Sequence, residues 1–300
     1  MNAVEIHDLT KSFRGMYALD HLNMTVPAGA IYGFIGENGS GKSTTEKLIC
    51  GHLVPDHGEI RLFGRDYRDP GVRVRVGALI ENAGCFPGAS VYQNLMMQAI
   101  NLNLPDPDRE IGRVLEIVRM EDSAKTKIKS CSLGMKQRIG IAMALLGNPA
   151  LLILDEPING LDTDGMRIMR EILVDITQNC GATVLISSHI LGELEKIATH
   201  YGIIRQGKMI REISAKEMEN RARSFVSLKT RDMKGAFKIL KRQFSDVRME
   251  DGYLRVYDVD EPSVIVGNLM GQGYEVSELH KNRIGLEEYY VEMMSEKEAV

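Results

Sequence analysis

Residues 32–48 read "YGFIGENGSGKSTTEKL", an apolar run that breaks into a glycine-rich turn and resumes as a polar helix. The spacing Gly36-x4-Gly41-Lys42-Ser43 is that of a phosphate-binding loop. Glycine dominates because the chain must curl its N–H groups inward, and a Cβ would block a phosphate. Lys42 supplies a mobile positive charge for the β- and γ-phosphates, and the Ser43 hydroxyl is placed to ligate Mg²⁺ at the N-terminus of a helix. Strand-like "AIYGFIG" before the loop and "STTEKLIC" after it supply the strand–loop–helix setting that the motif requires. A nucleoside triphosphate is the expected ligand.

Outward from this loop, residues 3–80 read as short strands ("AVEIHDL", "LNMTV", "EIRLFG", "VGALI") punctuated by Gly and Pro. Residues 84–149 form a helical insertion, with helical periodicity in "SVYQNLMMQAI", "DREIGRVLEIVRM" and "GMKQRIGIAMALL". From Leu151 the strand–helix alternation returns: "LLILDE" as a doubly buried strand, a helix over 163–179, "ATVLISS" as strand and "ILGELEKIAT" as helix. The expected fold is α/β, over residues 1–209. Residues 210–300 form an accessory α+β module, whose strand–helix–strand–strand–helix–strand order resembles a ferredoxin-like unit closed by an amphipathic terminal helix, "GLEEYYVEMM".

The apolar strand "LLILDEP" ends on two acids. A carboxylate there sits at the crevice where α/β sheets bind ligands; Asp155 is placed to hold Mg²⁺, and Glu156 to deprotonate an attacking water. His189 ends "LISSH" in the same way and is a candidate donor to the γ-phosphate.

The stretch "CSLGMKQRIGIAMALL", residues 131–146, narrows the reading. With the motifs above, in this order, it resembles the ATP-binding cassette (ABC) ATPases over about residues 3–209. Ser132-x-Gly134 followed by Lys136-Gln137-Arg138 matches that family's signature motif, although Cys131 and Leu133 replace its usual leucine and first glycine. The resemblance implies a phosphate-loop ABC core and ATP hydrolysis with Mg²⁺. Phe13 would stack on adenine, Gly36, Asn38, Gly39, Gly41, Lys42, Ser43 and Thr44 would cradle phosphates and metal, and "NGLD" (159–162, with Asp162) would couple two sites. Ser132 and Gly134 would face the γ-phosphate held by an opposite subunit, in a homodimer or in a heterodimer with a related ATPase. Glu81 stands where the family usually has glutamine and is a candidate metal-site and catalytic residue. That substitution and the accessory module are similar to the ATPases of bacitracin and lantibiotic export and immunity.

Composition sets the bounds. Of 300 residues 44% are hydrophobic and the net charge is −4, so the total gives no argument for nucleic acid. A basic stretch from Arg221 to Arg248 reads as a solvated helix face. Cys50, Cys85, Cys131 and Cys180 show no framework spacing, which implies reduced thiols and a cytosolic setting. "MNAVEIHDLTKSF" is not a signal peptide, and no segment approaches ~18 uninterrupted apolar residues. The expected protein is peripheral on the inner face of a membrane, driving a separate multi-span permease that exports an antimicrobial peptide or similar amphipathic compound. A cassette ATPase acting on nucleic acid or ribosomes is the alternative, although such proteins usually join two cassettes or carry a long coiled-coil insert. A phosphate-loop kinase has no use for the signature stretch.

Overall fold

A computed structural model describes residues 1–221, 224–257, 259, 261–283 and 285–296. The chain forms two compact units, Met1–Ala215 and Lys216–Val300. In the first, β1 (Asn2–Phe13), β2 (Met16–Pro27) and β3 (Ile31–Ile35) lead into α1 (Lys42–Ile49). Then come β4 (His57–Leu62), β5 (Arg65–Asp66), α2 (Pro70–Arg73) and β6 (Val76–Leu79). The helical insertion holds α3 (Val91–Asn101), α4 (Pro107–Ile117) and α5 (Leu133–Leu145). The unit closes with β7 (Leu151–Asp155), α6 (Thr163–Cys180), β8 (Thr183–Ser188), α7 (Leu191–Leu194), β9 (His200–Arg205) and β10 (Lys208–Ser214).

Two sheets share the core. The antiparallel sheet runs β2-β1-β4-β5, and the six-stranded sheet runs β10-β9-β3-β8-β7-β6, parallel except for the β9–β10 hairpin. Ile6, Leu22, Met24, Phe34, Ile153 and Leu185 are fully buried between them, which is why β3, β7 and β8 read as continuous apolar runs. The helix starts are written locally. Ser90 and Gln93 form a capping box on α3, Asp106 caps α4 with Pro107 following, and Asp162 caps α6 by accepting from the Gly165 N–H at 2.8 Å. The insertion is seated closely on β6, at Gly77 and at Gly140. A Cβ on Gly77 would collide with the Ala144 carbonyl of α5, so only glycine lets helix and strand meet there.

Two expectations need correction. The first unit does not end at residue 209, because β10 continues through Ser214, paired with His200. "ILGELEKIAT" is not one helix: only Leu191–Leu194 is helical. Thr199 must donate its N–H to the Ile31 carbonyl (2.8 Å) and enter β9 beside β3, and a continued helix would carry it away.

The second unit contains α8 (Ala215–Arg221), whose first residue belongs to the first unit, then β11 (Ser224–Thr230), α9 (Met233–Leu240), β12 (Val247–Glu250), β13 (Tyr253–Tyr257), α10 (Pro262–Met270), β14 (Val276–Arg283) and α11 (Leu286–Glu296). Its antiparallel sheet runs β12-β13-β11-β14, the strand order of a ferredoxin-like unit. Val226, Leu228, Leu240, Leu254 and Leu269 are fully buried in its core. Tyr289 of α11 packs on a smaller cluster with Phe225 and Tyr257, whose rings lie 5.3 Å apart. Of the basic stretch, Arg223 lies outside the described residues; Arg248 pairs with Asp246 at 3.1 Å and covers the Tyr257 ring.

Candidate functional site

Strands β3, β8 and β7 are parallel neighbours, in register from Ile35 to Ser188 and from Ser187 to Asp155. Their C-terminal ends therefore deliver the phosphate loop, Asp155, Glu156 and His189 to one edge of the sheet. A cavity of about 280 Å³ opens there, lined by Ala18, Asn38, Gly39, Gly41, Lys42, Ser43, Thr44, Asp155 and Glu156.

Each side chain is held. A Cβ on Gly36 would fall 2.5 Å from both the Ile204 carbonyl and the Ser40 hydroxyl, so the first loop glycine is irreplaceable. Lys42 is buried and donates to the Gly36 carbonyl at 2.6 Å and the Glu37 carbonyl at 3.1 Å. Ser43 Oγ donates to Asp155 Oδ2 at 3.2 Å, and Ser187 Oγ donates to Asp155 Oδ1 at 2.9 Å. Glu156 sits in the left-handed region at φ 50°, with its N–H donating to the Ser187 carbonyl (3.1 Å), and Glu156 Oε2 lies 2.8 Å from His189 Nδ1. Lys42, Ser43, Asp155, Glu156 and His189 are thus gathered, with the predicted loop residues Asn38, Gly39, Gly41 and Thr44 lining the same cavity.

Ser132, Gly134, Asp162, Phe13 and Glu81 do not line this cavity. Ser132 caps α5, accepting from the Met135 N–H at 3.2 Å, and lines a second groove of about 400 Å³ with Gly134, Gly160 and Asp162. Phe13 is exposed beside Met16, its cross-strand partner, and does not line the phosphate cavity. Glu81 does not line it either. It borders a third hollow with Asn82, Lys136 and Gln137, and its Oε1 is 2.6 Å from Lys47 Nζ. That ammonium holds the Glu81 carboxyl below its usual range.

Three participants escaped the sequence reading. Ala18 and Ser187 carry no motif. Glu46 was read as part of a polar helix, yet it is fully buried and neither carboxyl oxygen has a hydrogen-bond partner. Burial, and then the negative charge of Asp155, push its carboxyl up to about 8, only partly offset by Ser187 and Lys42. A signal was present: Lys42, Thr45, Glu46 and Ile49 repeat at helical spacing and form the buried stripe of α1.

Comparison with known proteins agrees with this geometry. The family model described as "ABC transporter" matches residues 19–159. The bacitracin transport ATP-binding protein BcrA of Bacillus licheniformis is 35% identical over 97% of both chains. The lantibiotic transport ATP-binding protein SrtF of Streptococcus pyogenes is 39% identical over 72% of this chain and 93% of its own. Among solved structures, CbiO1 of Clostridium perfringens, described as part of the ABC transporter complex cbiONQ, superposes with a TM-score of 0.67 at 28% identity, covering 73% of this chain and 91% of its own. The dimeric cassette MJ0796, bound to ADP and Pi, shares the fold at a TM-score of 0.65 and 22% identity, covering 71% of this chain and 98% of its own. The chain belongs to the ATP-binding subunits of ABC transporters and is an ATPase of that family.

Proposed function

We propose that this subunit pairs with a second cassette around two ATP molecules and drives a separate multi-span membrane protein that exports an antimicrobial peptide or similar amphipathic compound. One observation carries the pairing. The phosphate cavity and the Ser132/Gly134/Asp162 groove are different hollows on one chain, which supports a reading in which each is half of a site completed by a second chain. The export reading rests on kinship with bacitracin and lantibiotic transport subunits. Among the described residues no helix is long and apolar enough to cross a membrane, which fits a subunit held on the inner face by its partner.

The chemistry follows from the residues present. Lys42 now spends its protons on backbone carbonyls and can turn them to β- and γ-phosphate oxygens. Ser43 and Asp155 form a hard-oxygen pair that fits Mg²⁺, an ion bound by one or two carboxylates together with phosphates and water. When bound, Mg²⁺ neutralises charge on the phosphates. Glu156 accepts a proton from water as the water oxygen bonds to the γ-phosphorus and the bond to the β–γ bridging oxygen breaks, releasing ADP. His189 Nδ1 lies 2.8 Å from Glu156 Oε2, which orients the carboxylate and leaves Oε1 to face water.

A mixing experiment tests the shared site. Lys42→Ala alone and Ser132→Arg alone should each lose turnover, because each spoils both composite sites of a homodimer. Mixed, they should regain part of the activity, since one heterodimer site then holds an intact Lys42 and an intact Ser132. Absence of recovery, with both variants folded and dimerising, would show that hydrolysis is completed within one chain.

A further inference from the structure

Glu81 has a second address in this fold. It follows β6, whose Leu79 pairs with Leu154, the residue before Asp155, so the backbone brings Glu81 to the same sheet edge as the metal pair. The Glu81 side chain nevertheless avoids the phosphate cavity and binds Lys47 Nζ at 2.6 Å. Lys47 lies four residues after Ser43 on α1, hence on the same helix face and about one turn, or roughly 6 Å, farther along. Ser43 is the α1 residue that donates to Asp155. Lys47 and a divalent cation held by the Ser43–Asp155 pair would therefore compete for one carboxylate, whereas without the cation only Lys47 attracts it.

We propose that Lys47 is a positioning residue that latches Glu81 one helical turn short of the metal site and yields it when nucleotide and divalent cation arrive. This rests on Glu81 being a metal-site residue. The Lys47 side chain is 33% exposed and the Glu81 side chain 63% exposed, so the pair is weak enough to exchange. A partly exposed ion pair of this kind shifts a competing equilibrium by about two- to fivefold. Glu81 also holds a left-handed backbone at φ 63°, which fixes where its side chain starts and leaves the choice of partner to the side-chain torsions.

Metal affinity tests the latch without relying on turnover. The full chain is saturated with a non-hydrolysable ATP analogue and titrated with Mn²⁺, with free ion followed by electron paramagnetic resonance. Glu81→Gln should weaken Mn²⁺ binding. Lys47→Met should tighten it about two- to fivefold by freeing Glu81, and Lys47→Arg should stay within twofold of wild type. In the Glu81→Gln background Lys47→Met should change nothing. Equal tightening in both backgrounds would reduce Lys47 to a distant repelling charge, and no tightening in the wild-type background would also overturn the latch. Unchanged affinity in Glu81→Gln would instead remove Glu81 from the metal site, and with it the purpose of the latch.

Discussion

Glu46 allows a quantitative prediction. Its carboxyl is fully buried on α1 with both oxygens unpartnered, and it holds its proton up to about pH 8 against 4.5 for an ordinary glutamate. Between those values the folded chain binds a proton that the unfolded chain has released, so stability must fall as pH rises. The loss is absent below about pH 4.5 and complete above about pH 8. At about 1.36 kcal/mol per pH unit it amounts to about 3 kcal/mol at pH 7 and about 5 kcal/mol at full development. Glu46→Gln cannot ionise and should erase this slope. Wild type and variant should be similar near pH 5, with the variant more stable by about 3 kcal/mol at pH 7. The measurement is urea unfolding of nucleotide-free protein in a chelator, from pH 5 to 8.5, followed by far-ultraviolet circular dichroism because the chain has no tryptophan. Taking the difference between the two proteins cancels every other titrating group far from this position. Stability curves that stay parallel across the range would mean that Glu46 has found a partner or water, and the reasoning would fail.

Glu156→Gln should bind ATP yet lose turnover by roughly 10²–10⁴-fold, since an amide accepts no proton from water. It should also accumulate as an ATP-dependent dimer on size exclusion, and a monomer at saturating ATP would contradict the shared site. Gly77→Ala should destabilise the first unit by about 1–3 kcal/mol, because its Cβ meets a backbone carbonyl that cannot swing aside; unchanged urea unfolding would show that α5 and β6 are less closely packed than described.

The sheet, the insertion and the phosphate edge were legible because each rests on a strong local signal. "LLILD" and "TVLISS" are buried on both faces and look it, and the Ser90, Asp106 and Asp162 caps mark helix starts. What was not legible depended on partners far along the chain. The shortening of "ILGELEKIAT" is dictated by the Ile31 carbonyl waiting for Thr199, and no periodicity reveals that. Glu46 lies in a stretch whose letters read as a polar helix, although its spacing from Lys42 and Ile49 puts it on the buried stripe. Glu81 was pointed to by the family resemblance alone, and its hold by Lys47 belongs to packing.

The placement of β6 has a mechanical consequence. Strands β3, β8 and β7 are each clamped on both sides, so the phosphate loop and Asp155 stand on an anvil. β6 is the rim of the same sheet, laddered to β7 alone, and Gly77 couples it to α5. Ser132 heads α5 and Glu81 follows β6, so the Gly77 contact joins the two across the least braced strand of the sheet, with the Arg119–Glu171 ion pair tying the insertion to α6 as well.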